Sequence, residues 1–219
     1  MQRKLLASSL ILLFAVLVTA CNQVSSIDGP TYPLSPYDVR PVLVGTKAPA
    51  FNVHDAAGKP FSFDPDNLDA PALIIFYRGG WCPYCNKHLM KLRNIEQDMI
   101  DLGFDALFLS ADKPEKLREM QTENEFSYTL LSDNDLIAST AFGLTYYVSD
   151  QLLEKLIGWE HDIEDASGRD HRLLPVPGVF LVNREGIIEY HYVNPDYKVR
   201  MEPSVILAAA RVMVDQDEE

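Results

Sequence analysis

Two cysteines separated by two residues, Cys82 and Cys85, have the type and spacing that redox chemistry uses. They follow a short apolar run, residues 72–77, and precede apolar residues that recur every three or four positions, which predicts strand, turn and helix. Pro83 fits the first helical turn and places Cys82 at or beside the N-cap, where the helix dipole favours a thiolate. Cys85 falls on the buried helix face. The pattern therefore predicts an exposed, activated Cys82 and a resolving Cys85.

Three other uses of such a pair fit this sequence less well. A structural disulfide across so short a loop contributes only about 2 kcal/mol in the chain-entropy model. A zinc site needs two more soft ligands, whereas the third cysteine is Cys21 and the nearest histidine is His88. Haem attachment needs a histidine directly after the second cysteine, where Asn86 stands. The pair is therefore interpreted as a redox centre.

The residues around the pair have predicted supporting roles. Arg78, Gly79 and Gly80 are expected to line the approach to the thiols. Glycine lets another backbone come close, and an arginine adds positive potential beside sulfur. An ordinary surface charge is the alternative interpretation of Arg78. Trp81 and Tyr84 are expected to pack beside the cysteines.

The first residues have the pattern of a secretory signal. Arg3 and Lys4 precede a continuous apolar run, so residues 1–20 are predicted to be a signal peptide. The end of this segment resembles the lipobox of bacterial lipoproteins, which implies cleavage before Cys21 and lipid attachment there. An ordinary cleaved signal or a membrane span is the alternative, although the run is shorter than the ~20 residues of a span. Asn22 favours the outer membrane, so an exported lipoprotein on the periplasmic side is expected.

Composition and charge divide the rest of the chain. Residues 21–41 are rich in Ser, Pro, Gly and Tyr without an apolar period, so a flexible, lipid-anchored linker is expected. Residues 42–214 can form one domain with its own core, and residues 215–219 form an acidic, solvated tail. The formal net charge of −13 argues against nucleic acid as a partner.

Strand and helix patterns alternate through the predicted domain. They predict an extended segment and hairpin over 45–63, strands over 72–77, 104–110 and 128–132, helices over 83–102, 114–125 (with Asp112 as N-cap), 135–142 and 203–214, and a hairpin over 178–193. The order indicates an α/β fold with a central, mostly parallel sheet, helices on both faces and an N-terminal hairpin extension. Residues 143–172 interrupt this rhythm, and an insertion that packs on the flank is favoured over a lid or partner surface.

The order of elements, the strand–Cys-x-x-Cys–helix unit and a proline before the last hairpin resemble the thioredoxin fold. In that fold the proline is cis and its loop faces the cysteine pair, where it presents backbone groups to a peptide. The resemblance places this role on Pro177, with Val176 before it. Pro175 is the alternative candidate for an ordinary rigid turn.

Within thioredoxin-like folds the chain resembles the peroxiredoxin-like branch of the alkyl hydroperoxide reductase and thiol-specific antioxidant (AhpC/TSA) superfamily. The matching residues are Gly45, Ala48, Pro49 and Phe51, the run 76–85, the run 174–177 and the run 193–200. The resemblance covers residues 42–211 and is specific at the cysteine motif. It implies the thioredoxin-like fold and thiol chemistry.

The chain also departs from both relatives. Where a peroxiredoxin has proline, threonine and its peroxidatic cysteine, this chain has Arg78, Cys82 and Cys85. The arginine that polarises peroxide in that family falls on Pro177. The buried aspartate of thioredoxin falls on Phe76. Neither mechanism transfers whole.

Three functions follow as hypotheses. The favoured one is dithiol–disulfide exchange with a thiol or disulfide protein partner, with peroxide reduction as a further activity. The alternative is a dedicated thiol-dependent peroxidase acting on hydroperoxides, with Cys85 peroxidatic by alignment or Cys82 by exposure. A copper(I) chaperone is the third. Both redox hypotheses need an external reductant and imply no cofactor.

Overall fold

The computed structural model describes residues 31–124 and 129–217. The strands in these residues are β1 (Phe51–Asp55), β2 (Pro60–Phe63), β3 (Ala72–Tyr77), β4 (Asp105–Ser110), β5 (Thr129–Ser132), β6 (Thr145–Tyr147), β7 (Leu173–Pro175), β8 (Gly178–Val182) and β9 (Ile188–Val193). The helices are α1 (Pro83–Leu92), α2 (Glu96–Asp101), α3 (Pro114–Asn124), α4 (Ile137–Ala141), α5 (Asp150–Gly158), α6 (Ile163–Ser167) and α7 (Pro203–Asp217). The predicted signal peptide, Cys21 and residues 218–219 lie outside this part of the chain.

A mixed sheet of seven strands, in the order β2-β1-β5-β4-β3-β8-β9, forms the centre of the domain. β3, β4 and β5 run parallel, and the other four pairings in this sheet are antiparallel. The α/β, thioredoxin-like class is confirmed, but the expectation of a mostly parallel sheet is wrong. Hairpins β1–β2 and β8–β9 contribute antiparallel pairs because a strand that returns through a short turn must reverse direction.

The core lies on both faces of this sheet. All six residues of β3 are buried, which explains the unbroken apolar run in the sequence. One set of alternating side chains packs with α1, α2 and α7, where Leu89, Met99 and Ile206 are buried. The opposite set packs with α4 and β1. The sheet therefore holds the C-terminal end of β3 rigidly beneath the start of α1.

Two helices differ from their predicted lengths. The helix expected over 83–102 is divided into α1 and α2 by a 3₁₀ turn, Arg93–Ile95. α7 continues to Asp217, so the predicted tail begins inside a helix, which extends past the predicted domain end. Across the described helices, none combines the length and apolar character needed to cross a membrane.

The ordered domain begins earlier than predicted. The Tyr147 amide donates to the Pro33 carbonyl at 2.8 Å, and the Arg40 amide donates to the Gly143 carbonyl at 3.1 Å. Val39 is buried in a core cluster. Residues 32–41 are therefore part of the folded domain, so the expectation of a flexible linker is wrong for these residues.

Candidate active site

The cysteine pair lies where β3 meets α1. β3 ends at Tyr77, residues 78–81 turn, and α1 begins with Pro83 at its first position and Cys82 as its N-cap. Backbone amides of Cys85 and Asn86 donate to the Cys82 carbonyl at 3.0 and 3.1 Å. The predicted strand–turn–helix unit is confirmed. It fixes both thiols at the positive end of a helix dipole.

Cys82 is buried rather than exposed, which corrects the sequence-based expectation. Only 1% of its surface is accessible. It lines a cavity of about 310 Å³ together with Arg78, Trp81, Pro83 and the aromatic side chains of Tyr84, Trp159 and Tyr197. The residue is covered because α5 and the chain after β9 fold over the start of α1, an effect that local sequence does not show. A small molecule in this cavity would nevertheless lie beside Cys82.

The surroundings of Cys82 favour its thiolate. The Cys85 side chain hydrogen-bonds to it, and this bond, opposed by burial and aided by the charge of Arg78, lowers the pKa of Cys82 to about 6. Arg78 Nη1 lies 4.0 Å from Cys82 Sγ. Cys82 is therefore largely ionised at neutral pH and is the stronger candidate for the nucleophile.

Cys85 has the opposite character. Burial raises its pKa well above the usual range, and the neighbouring Cys82 adds to the rise. Arg200 opposes this effect, since its Nη2 lies 3.4 Å from Cys85 Sγ. Cys85 is therefore a protonated thiol next to a fixed positive charge, which suits a residue that resolves an oxidised Cys82. Sequence analysis did not assign Arg200 to the site.

Arg78 is a buried site residue, so its interpretation as an ordinary surface charge is wrong. It is 2% exposed, and its guanidinium carbon lies 4.8 Å from the Trp81 ring centre and 4.2 Å from that of Tyr197. Its Nε and Nη2 atoms have no hydrogen-bond partner among the described residues. The aromatic rings hold the charge in place, and two of its donors stay buried and unpaired.

Gly79 and Gly80 serve the turn itself. Gly79 has φ +153, and a Cβ atom there would lie 2.3 Å from Trp81 Nε1 and 2.7 Å from Asp112 Oδ1. A Cβ at Gly80 would lie 2.9 Å from Met120 Sδ. The glycines therefore admit neighbouring side chains of this chain, where sequence analysis expected room for an approaching backbone.

Asp112 is a further site residue that sequence analysis missed, because it was interpreted as a helix N-cap. Its Oδ2 accepts hydrogen bonds from the Gly80 amide at 2.6 Å and from Ser110 Oγ at 3.1 Å. Burial raises its pKa to about 7. Its place in the site could have been inferred from its position just after β4. The carboxyl ends of parallel strands β3 and β4 meet at one edge of the sheet.

The segment that interrupts the α/β rhythm forms one wall of the cavity. Leu156 and Trp159 of the α5 region and His161 face Cys82 across it, and Tyr84, Tyr197 and Lys198 complete the lining. Tyr84 packs edge-on against Tyr197, and Trp81 packs on His161. The expectation that residues 143–172 only pack on the flank is therefore wrong. Trp81 packs against the core cluster that contains both cysteines, as predicted, whereas Tyr84 is 43% exposed and lines the cavity beside Cys82.

The Val176–Pro177 bond is not the cis bond that the thioredoxin resemblance implied. No cis peptide bond occurs in the described parts of the chain. The Val176 amide donates to the Leu144 carbonyl at 2.9 Å, and the Pro177 carbonyl accepts from Asn194 at 3.4 Å. Neither residue is among those that line the Cys82 cavity. Neighbouring backbone therefore uses the Val176 amide and the Pro177 carbonyl, and the bond has the trans form that X–Pro bonds prefer.

Histidines add no metal ligands to the thiol pair. His88, on α1, is buried with its Nε2 3.0 Å from the Met201 carbonyl oxygen, and burial lowers its pKa to about 4. Within residues 31–124 and 129–217, no group of three or more His, Cys, Asp or Glu side chains is placed to hold a metal ion. The geometry of this site therefore gives the copper hypothesis no support beyond the two thiols.

The sequence is similar to a known family of thiol proteins and to individual peroxiredoxins. The AhpC/TSA family model matches residues 44–191. Peroxiredoxin Bcp of Escherichia coli K12 is 31% identical over 106 residues, which are 48% of this chain and 67% of that protein. Two Mycobacterium tuberculosis proteins are 34% identical over 99 residues, 45% of this chain, and the chain spans only 62% of their length.

Solved structures show the same fold. Peroxidoxin BcpB from Mycobacterium tuberculosis matches with a TM-score of 0.61 at 17% identity and covers 78% of this chain and 97% of its own. A reduced 2-Cys peroxiredoxin from Plasmodium vivax matches with a TM-score of 0.63 at 14% identity. The match covers 81% of this chain and 100% of that protein. Since the family model matches more than half of the sequence, this chain belongs to the AhpC/TSA family.

Proposed function

We propose that this protein is a thiol-dependent peroxidase in which Cys82 is the peroxidatic residue and Cys85 resolves it. The observation that carries the proposal is the environment of Cys82, a thiolate with a pKa of about 6 at the wall of a cavity that also contains Arg78. The named relatives are peroxiredoxins, which supports hydroperoxide as the substrate. The same comparison favours peroxidase activity over the exchange function that the sequence favoured.

In the first step, the Cys82 thiolate attacks the terminal oxygen of a hydroperoxide. The O–O bond breaks, the terminal hydroxyl becomes part of a Cys82 sulfenic acid, and the alkoxide leaves and takes a proton from water. Arg78 Nη1 is close enough to Cys82 Sγ, at 4.0 Å, to stabilise negative charge that moves from sulfur to oxygen. The Nε and Nη2 atoms of Arg78 are buried without a hydrogen-bond partner among the described residues, so a peroxide oxygen that reached them would gain a donor.

In the second step, Cys85 loses its proton and attacks the Cys82 sulfur. The S–O bond breaks, hydroxide leaves and is protonated to water, and a Cys82–Cys85 disulfide forms. Arg200 supports this step because its guanidinium stabilises the Cys85 thiolate as it appears. Two equivalents of an external thiol then reduce the disulfide, so that one hydroperoxide and two thiols give one alcohol, one water and one disulfide.

Thiol–disulfide exchange is the second candidate activity. It is supported by the same observation that makes Cys82 reactive, an N-cap thiolate three residues from a second thiol. The burial of Cys82 speaks against a protein disulfide as the preferred substrate, because a folded partner needs a more open sulfur than a 1% exposed one. Exchange with the reductant nevertheless completes the peroxidase cycle.

The cellular setting is also part of the proposal. The apolar run before Cys21 supports export and lipid attachment to that residue, with outer-membrane sorting favoured by Asn22. Expression of the full chain with Cys21→Ala tests this directly. Loss of lipid mass and release from the membrane fraction are expected, and unchanged membrane attachment would contradict the anchor.

The enzymatic proposal is tested by hydroperoxide consumption with dithiothreitol as reductant, in a chain carrying Cys21→Ser. We expect steady turnover that falls at least 100-fold in Cys82→Ser. Cys85→Ser should keep one rapid oxidation event and lose efficient turnover. Equal turnover in Cys82→Ser would overturn the assignment of the nucleophile.

A further inference from the structure

A second cavity, also of about 310 Å³, lies on the other side of the cysteine turn. Gly80 and Trp81 line it, so Trp81 borders both cavities. Its charge is opposite to that of the Cys82 cavity, because carboxylates from α3, α6 and their flanking residues surround it. Among the described residues, Lys116 is the one amine that lines it. We define it as the acidic cavity.

Two buried oxygen atoms in the acidic cavity lack hydrogen-bond donors. Asp112 is 2% exposed, and its Oδ1 has no partner among the described residues although Oδ2 is fully used. Asn86 donates its amide to the Gly80 carbonyl at 2.7 Å, which leaves its Oδ1 without a partner in the same part of the chain. A buried acceptor without a donor destabilises the folded chain, and a ligand that supplies the donor removes that cost. The cavity is therefore built to receive hydrogen-bond donors.

The remaining carboxylates of the acidic cavity form two groups. Some are used in ion pairs or helix capping, and the others lie at its edge. Asp165 pairs with Lys113 at 3.0 Å and Lys116 at 3.4 Å, and Asp162 caps α6. Glu119 contacts Lys116 only at 3.8 Å, and it borders the cavity with Glu160. The lysine charges are already paired with Asp165, so Glu119 and Glu160 leave a net negative charge at the edge of the cavity.

These features select one class of ligand. An anion is disfavoured by the surrounding carboxylates, and an apolar group leaves Asp112 and Asn86 unsatisfied. No grouping of metal-binding side chains occurs in the described chain, which disfavours a metal ion. We propose that the acidic cavity binds an organic cation with several N–H donors, an alkylammonium or guanidinium group, through Asp112 Oδ1 and Asn86 Oδ1.

The position of the cavity gives this ligand a role. Asp112 holds the Gly80 amide, two residues before Cys82, and Trp81 separates the bound cation from the Cys82 cavity. A reducing partner with a lysine or arginine beside its thiol would therefore be held next to the disulfide that it reduces. This role rests on the proposed peroxidase function, whereas cation binding itself does not.

Binding is tested at pH 8, where the Asp112 carboxyl, with a pKa of about 7, is ionised. The sample is the reduced full chain carrying Cys21→Ser, without peroxide, and ¹H–¹⁵N NMR follows the Gly80 amide and the Trp81 indole. The probes are n-butylammonium, acetyl-Gly-Lys-Gly-amide and tetramethylammonium, which has charge but no N–H donor. We expect saturable shifts with the first two at millimolar concentration and none with the third. The Trp159 indole, which lines only the Cys82 cavity of the two, is the internal reference.

Variants assign the site. Asp112→Asn should weaken binding at least tenfold, and the double variant Glu119→Gln/Glu160→Gln should weaken it about threefold without touching the buried turn. Glu115→Gln, an exposed acid outside the cavity, is the matched control. Binding of the peptide alone supports a partner side chain as the source, and binding of butylammonium alone supports a free amine. Equal binding of tetramethylammonium, or no saturable shift, overturns the proposal whether or not peroxide is reduced.

Discussion

Arg200 Nη2 lies 3.4 Å from Cys85 Sγ, although the two residues are 115 positions apart in the sequence. The same guanidinium hydrogen-bonds to the Tyr197 carbonyl and, at 3.1 Å, to the Val199 carbonyl. These bonds fix the arginine in the chain between β9 and α7. Cys85 therefore has a positioned cation that is separate from Arg78, the cation beside Cys82.

Arg200→Met should slow disulfide formation about tenfold because the Cys85 thiolate loses its counter-charge. Oxidation of Cys82 to the sulfenic acid should change less than threefold. Dimedone trapping followed by mass spectrometry measures both steps, and more trapped sulfenic acid is expected in the variant. Arg211→Met, which removes an exposed pair with Asp98, is the control. Unchanged disulfide formation would exclude this role for Arg200.

The rate of Cys82 oxidation should depend on pH with a midpoint near 6. Only the thiolate attacks peroxide, so the rate rises as pH increases through the pKa of Cys82 and is level above about 7.5. Arg78→Gln should raise that pKa by about one pH unit, whereas Arg78→Lys retains most of the charge effect. Absorbance at 240 nm follows the thiolate directly. A midpoint near 9 in the wild type would contradict the account.

Asp112 should make the reduced protein less stable as pH rises. Its carboxyl has a pKa of about 7 when folded and an ordinary value of 3.8, so between these values only the folded chain holds the proton. The free energy of unfolding should therefore fall by about 2–4 kcal/mol from pH 4 to pH 7 through this group. Urea unfolding across this range measures the slope. Asp112→Asn should reduce the fall in the free energy of unfolding with pH. The part of that fall due to Asp133, which has a pKa of about 6, should remain.

Gly79→Ala should destabilise the fold by about 2–4 kcal/mol, since the new methyl group meets Trp81 and Asp112 and the backbone has φ +153. Gly58→Ala is a matched control, with φ +80 and no atom within 4 Å of its Cβ, and should cost about 1 kcal/mol. Guanidinium unfolding midpoints compare the two. Equal losses of stability in the two variants would show that a methyl group at position 79 fits the turn, contrary to the structure.

Features set by neighbouring residues were predictable. The apolar run of β3, Pro83 at the start of α1 and the Glu185–Gly186 turn of the β8–β9 hairpin each depend on a few adjacent residues. Their local preferences agree with the final fold, so the position of the cysteine pair followed directly.

Features set by distant contacts were not predictable in this way. Asp112 reaches Gly80 only because β4 lies beside β3, and Arg200 reaches Cys85 only after β9 turns back over α1. The burial of Cys82 similarly depends on Trp159 and Tyr197, which are far from it in sequence. The order of the strands in the sheet therefore decides which charged side chains surround the thiols. Local sequence patterns do not reveal that order.

The central claim, that Cys82 receives the peroxide oxygen, is tested most directly with Cys85→Ser in a chain carrying Cys21→Ser. Serine keeps a hydroxyl that can donate to the Cys82 sulfur, the main cause of its lowered pKa. After one stoichiometric addition of hydrogen peroxide, the account predicts rapid, dimedone-reactive oxidation of Cys82 by peptide mass spectrometry. Rapid oxidation of Cys85 in the reciprocal Cys82→Ser chain, with Cys82 inert in Cys85→Ser, would contradict it.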